Sequence, residues 1–255
     1  MFANKIPASL LHAFHSVRST SALGAVSALL LAACAVDAPS GLHSPPASKL
    51  LGASSASTLG RASSFAALGA STVTCTAAGT NTGDVGVSPG SSITGFNPDC
   101  TLTGTLHAAN DASAAAQADA ATAYGSLSAA PCDVTYGAVQ ELAGLTLNPG
   151  VHCFPSSAQV TAGTLTLNGP GRYTFKVAST FITFVGSSVI LTGGATCDDI
   201  FWLVGSSSTL GGPVAGNILA YTSIALDPGA TLSGSAIALN GAVTMASSNR
   251  VSVCG

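Results

Sequence analysis

From residue 62 onward the chain alternates short apolar–polar runs with breaks that carry glycine. Residues 71–74, 164–167, 173–177, 188–191, 200–204, 217–220 and 236–239 are rich in Val, Ile, Thr and aromatics and change character every second residue. That period predicts half-buried strands. Pro-Gly pairs recur at Pro89-Gly90, Pro149-Gly150, Pro170-Gly171 and Pro228-Gly229, three of them inside related frames: Val87-Ser88-Pro89-Gly90, Leu147-Asn148-Pro149-Gly150 and Leu226-Asp227-Pro228-Gly229. Their unequal gaps predict an irregular solenoid, not a perfect repeat; a β-sandwich would also show many short strands with turns at such spacing. One segment breaks the period. Residues 108–128 are dominated by alanine, the best helix former, and Pro131 follows. A helix of some twenty residues is about 30 Å long, the height of about six stacked strands. With small side chains all round it can lie close to a sheet as a lateral brace, though it cannot organise a core alone.

Composition narrows the class. Of 255 residues, 47% are hydrophobic and only 7% charged, with a formal charge of −3. The length suffices for a substantial core. A nucleic-acid binder would need a basic stripe, which is missing here, and disordered chains are more charged and poorer in β-branched residues. The sum is a turn-rich, mainly β, secreted protein.

The first residues read as an address. Lys5 and Arg18 precede the short apolar run 22–33, which ends in Leu31-Ala32-Ala33-Cys34. This is a signal peptide whose end resembles a bacterial lipobox, with Cys34 as the acylated residue; cleavage after Ala35 is the alternative. Cysteine arithmetic favours the former, because seven is odd and secreted proteins seldom leave a thiol free. Cys75, Cys100, Cys132, Cys153, Cys197 and Cys254 remain, for which fifteen pairings exist. The expected one joins Cys75 to Cys100, Cys132 to Cys153 and Cys197 to Cys254. The expected organisation is a leader over 1–34, a flexible Ser/Ala/Pro-rich tether over 35–60 and a domain over 61–255.

Chemistry is sparse. No cysteine pair has zinc-ligand spacing. The acids Asp84, Asp99, Asp111, Asp119, Asp133, Glu141, Asp198, Asp199 and Asp227 are scattered, whereas glycoside hydrolysis needs a convergent pair. Asp198-Asp199 reads as a solvated turn, His107 and His152 as structural, and Trp202 as core. Neither an enzyme, a metal nor a cofactor is expected.

Ordered blocks carry a family resemblance. Residues 83–96 (Gly83-Asp84-Val85-Gly86-Val87-Ser88-Pro89-Gly90 onward), 103–109, Gln117-Ala118-Asp119 with Ala123-Tyr124, 145–154, 201–207, 216–220 and 239–244 resemble blocks of the microbial ice-binding (antifreeze) family. The resemblance runs from about Ser64 to Cys254. It implies a discontinuous right-handed β-helix, triangular in section, with a long α-helix alongside, and it implies ice as the partner. A flat parallel stack would set one residue per coil in register, about 4.8 Å apart across the strands and about 6.7 Å apart along them. Threonine suits such a grid: its stiff χ1 fixes a hydroxyl and a methyl together, the hydroxyl anchoring ordered water while the methyl discourages disordered water.

The family pattern resembles Thr-(Ala/Gly)-x-(Thr/Asn). Thr161-Ala162-Gly163-Thr164 fits it, Thr180-Phe181-Ile182-Thr183 keeps both threonines, and Thr209, Thr231 and Thr244 keep the first while Gly212, Gly234 and Ser247 replace the second. The expected ice-binding residues are therefore Thr161, Thr164, Thr180, Thr183, Thr209, Thr231 and Thr244, and the reading requires them to share one face. The function so implied is adsorption to ice by a monomer of the bacterial envelope, or one released from it, touching membrane only through the lipid. The outcome would be inhibited ice growth and recrystallisation, or attachment of the cell to ice. The rival is a structural or adhesive surface lipoprotein on the same scaffold without ice affinity.

Overall fold

The computed structural model describes residues 57–255; the leader, Cys34 and tether residues 35–56 lie outside the described residues. Leu59, expected in the tether, is only 2% exposed and packs with Ala62, Ala116 and Ala120, so the body begins a little before residue 61.

The strands are all parallel and stack into three faces, forming a right-handed, triangular β-helix. Each coil runs through a nine-stranded helix face, an eight-stranded flat face, and a third face made of a five-stranded and a three-stranded sheet. The Pro-Gly pairs fall at corners. Pro89-Gly90 leaves the helix face, Pro228-Gly229 leaves the flat face, and Pro149-Gly150 and Pro170-Gly171 leave the third. They serve different corners, which is why their spacing looked irregular.

The winding is discontinuous. The first strand, Phe65–Gly69, sits inside the helix face, third of its nine strands, paired on one side with Asp84–Val87 and on the other with Ala236–Ala238. The chain therefore first builds one end of the stack, up to Leu106–Ala108 just before the helix cap Asn110 (the capped end), then crosses to the opposite end and winds back to meet its own start. The crossing is the helix Asp111–Ser128. It starts three residues later than expected, because residues 106–108 still pair as a strand with Val85–Val87. Asn110 caps it, accepting from Ser113 N at 3.0 Å, which satisfies an otherwise orphaned donor.

Only alanine's size lets this helix lie flat. Its buried residues, Ser113, Ala116, Ala120, Ala123 and Leu127, fall three and four apart and form one stripe. They meet Leu203, Leu219, Ile237 and Leu68, which stand in register on the outer side of the helix face. Gln117 adds a hydrogen bond to Ala238 O at 3.1 Å. The helix face is thereby covered, leaving the other two open to solvent.

Inside the prism the packing grades from aromatic to alanine. His152, Phe175, Trp202, Ile218, Ala236 and Ala67 form one inward rank. Phe175 stacks on Trp202 at 3.9 Å, and Trp202 on Phe181 of the flat face at 4.2 Å. The indole N–H donates to Ala215 O at 3.0 Å, so Trp202 is core, as its apolar run predicted. The structure joins Cys75–Cys100, Cys132–Cys153 and Cys197–Cys254.

His152 is 5% exposed, with a hydrogen-bond partner at each ring nitrogen. Nε2 donates to Asn148 O at 3.0 Å, and in the neutral ring Nδ1 accepts from Tyr136 O–H at 3.0 Å. Burial pushes its pKa below the ordinary value, against the pull of the Asn148 bond and of Asp133. A histidine that resists protonation when folded contributes stability that is present above about pH 6.5, the unfolded value. That contribution is lost as pH falls toward the folded pKa. The thermal midpoint should therefore drop between pH 7 and pH 5, and His152→Phe should flatten that slope; melts in matched buffers check it.

Candidate functional site

Starting from the capped end, the flat face is built from Ser92–Thr94, Thr72–Ala77, Val243–Ser247, Ile224–Leu226, Ser208–Leu210, Phe181–Thr183, Ser157–Val160 and Val139–Glu141. Alternation sends every second residue outward. The outward central rank is Thr94, Thr74, Thr244, Ala225, Thr209, Ile182, Gln159 and Glu141, each opposite the next. Beneath it Val73, Val243, Ile224, Leu210 and Phe181 are buried, which holds the strands flat. Thr94 to Thr209 spans five coils, about 19 Å at normal strand spacing. The outward positions of the six strands nearest the capped end hold no Asp, Glu, Lys or Arg.

The capped end supplies the densest part. Thr72, Thr74 and Thr76 project from one strand, and Ser92 and Thr94 from its neighbour. The Cys75–Cys100 disulfide ties these two coils together. Thr94 Oγ1 lies 3.2 Å from Thr74 Oγ1. The hydroxyls of Thr72, Thr209 and Thr244 meet no protein partner among the described residues, which frees them for water. Toward the other end the pattern weakens. The hydroxyls of Ser157 and Thr180 bond each other at 2.9 Å, and Ile182 and Gln159 replace threonine in the rank. Glu141 closes it on the outermost strand, accepting from Ala143 N at 2.9 Å and Thr161 N at 3.1 Å. Its burial would raise the carboxyl pKa, but these bonds and those from the Thr161 and Gln159 side chains outweigh it, and the net shift is downward.

The seven threonines expected on one face do not share it. Thr209 and Thr244 lie on the flat face, and Thr180 and Thr161 at its edges, just before Phe181 and just past Val160. Thr164 is on the third face, because Gly163 (φ +90°) turns the corner between them; its hydroxyl bonds Ser188 at 3.0 Å. Thr231 is also on the third face, opposite Arg250. Thr183 points inward, 1% exposed, with its hydroxyl accepting from Gly211 N at 3.0 Å. It is three residues from Thr180, and in a strand an odd separation means opposite sides. Thr72, Thr74, Thr76 and Thr94 were missed, although the alternate threonines of Thr72-Val73-Thr74-Cys75-Thr76 were visible as a strand whose polar side is uniform.

Among the described residues no three His, Cys, Asp or Glu side chains converge as a metal site would require. A discontinuous β-helix that braces one side with a helix and keeps an uncharged hydroxyl-and-methyl panel clear of it defines a narrow structural class. Residues 67–251 match the family described as Ice-binding-like, and the chain belongs to that family. An ice-binding protein of Nostoc sp. (strain HG1) is 45% identical over 207 residues, covering 78% of this chain and 75% of the relative. The crystal structure of an ice binding protein from an Antarctic biological consortium aligns with TM-score 0.72 at 40% identity, covering 78% of this chain and 91% of that one. That of the ice-binding protein from the Antarctic ascomycete Antarctomyces psychrotrophicus aligns with TM-score 0.71 at 39% identity, covering 76% and 97%.

Proposed function

We propose that this protein adsorbs to ice through its flat face, centred on Thr74, Thr94, Thr209 and Thr244. The observation that carries the reading is the uncharged rank of five coils in parallel register, from Thr94 to Thr209. A charged side chain holds its own hydration shell and would interrupt an ordered layer of water; threonine methyls and free hydroxyls instead let that layer follow the strand spacing. Each contact is weak, but a rigid grid must release all of them together. Adsorbed molecules then pin the ice front between them, slowing growth and recrystallisation without any catalytic step. Fluorescently tagged protein should be incorporated into a slowly growing ice hemisphere; exclusion would defeat the reading and leave a scaffold without ice affinity.

The same proposal extends to location. Lys5, Arg18 and the 22–33 apolar run ending at Cys34 support export and lipid attachment to the bacterial envelope. Three disulfides suit an oxidising compartment. We take the protein to act as a monomer, either released or holding the cell to ice. Labelling with a radioactive fatty acid, lost on Cys34→Ala, is the direct check on the anchor.

A further inference from the structure

The two coils at the capped end carry threonine beyond the flat face. The run Thr72-Val73-Thr74-Cys75-Thr76 turns a corner at Ala77-Ala78-Gly79 and resumes on the third face as Thr80-Asn81-Thr82. On the neighbouring coil, Ser92 and Thr94 are followed, past Cys100, by Thr101-Leu102-Thr103. Thr80 stands opposite Thr101 and Thr82 opposite Thr103 in parallel register, with Asn81 between them turned inward and 1% exposed. All four threonines are exposed, and among the described residues none of their hydroxyls bonds a protein group. Farther along the same face two hydroxyls are engaged, Thr164 with Ser188 at 3.0 Å and Thr192 with Asn168 at 3.1 Å, and Thr146, Thr166 and Thr231 build no comparable block of four, Thr231 standing opposite Arg250 and Thr166 opposite Ile190. The four free threonines thus repeat the unit cell of the flat face, about 4.8 Å by about 6.7 Å.

We propose that Thr80, Thr82, Thr101 and Thr103 form a second ice-contacting panel, joined to the first around the corner that Cys75–Cys100 braces. This rests on the flat-face reading above. Two faces of a triangular prism are not coplanar, so one crystal surface cannot lie on both at once. The second panel therefore takes ice in a different orientation. Arg250, opposite Thr80 on the next strand, ends the panel; it has no ion-pair partner among the described residues, and its guanidinium keeps its own hydration.

The test maps fluorescence on oriented single-crystal ice hemispheres grown in tagged protein. The unaltered protein should mark planes of two kinds. Thr82→Lys and, separately, Thr103→Tyr should each darken one kind about tenfold or more and spare the other, a shift of roughly 1.4 kcal/mol or more. Thr244→Tyr should do the converse, and Arg250→Thr should brighten the plane that Thr82→Lys darkens. A pattern unchanged by both Thr82→Lys and Thr103→Tyr, in protein of unaltered melting temperature, overturns the second panel and leaves the flat-face function standing. So does a Thr244→Tyr protein that leaves every plane dark. Exclusion of the unaltered protein from ice overturns both.

Discussion

Thr244→Tyr should cut uptake on the ice planes that the flat face binds about tenfold or more while leaving the thermal midpoint within a degree or two. The residue is exposed and outward on an interior strand of the flat face, between Thr74 on one side and Ala225 on the other. Tyrosine has good strand propensity and points into solvent, so the fold has no reason to object. The contact does. A phenol ring stands several ångströms proud of its neighbours and lifts Thr74, Thr94 and Thr209 away from a flat crystal together, so one substitution removes many weak contacts. Loss of complementarity over a rigid interface falls mainly on the dissociation rate. Ice grown slowly from the variant should therefore shed protein that the parent retains. Thr164→Tyr is the matched control, an equally outward strand threonine placed on the third face beyond Arg250 and already bonded to Ser188; its uptake should equal the parent's. Equal losses in the two variants would show that bulk anywhere on the prism disturbs adsorption and that the flat face has no special part.

Much of the architecture was legible because its causes are local. Period-two runs mark strands whichever sheet they join, and the alanine segment admits no other element. Capping set the limit of that reading: Ala108 looks helical by composition, yet residues 106–108 complete a strand pair with a coil some twenty residues earlier. The functional surface was less legible, for two physical reasons. A four-residue motif such as Thr161-Ala162-Gly163-Thr164 ignores corners and parity; the glycine that makes the motif fit also bends the chain off the face. And the threonines that complete the rank come from the opposite end of the sequence. Thr74 stands beside Thr244, 170 positions apart, because the winding starts inside the stack and not at an end. Nothing in a linear reading announces that adjacency. The alternate threonines at 72, 74 and 76 did announce an outward polar side, but a polar side becomes a panel only when neighbouring coils are known.

The core sets how flat that panel can be, and Trp202→Ala should show it. Trp202 is fully buried in the helix face and stacks on Phe181, which lies directly under the flat face, one residue before Ile182 of the outward rank. Removing the indole deletes a partner of both Phe175 and Phe181 and strands the carbonyl of Ala215 that the N–H now satisfies. Large-to-alanine changes at such sites cost about 3–5 kcal/mol, several degrees or more of melting temperature in a domain of this size. Trp202→Phe keeps most of the stack and should lose less, chiefly the hydrogen bond, about 1–3 kcal/mol if the acceptor stays dry. The informative comparison is at temperatures near freezing, where both variants remain folded. If the interior stack holds the strands level, Trp202→Ala should also lose ice uptake there, in excess of Trp202→Phe, although the indole is buried and touches no ice. Undiminished uptake by folded Trp202→Ala would mean that the hydrogen-bonded ladder alone keeps the face planar and that the aromatic stack serves stability only.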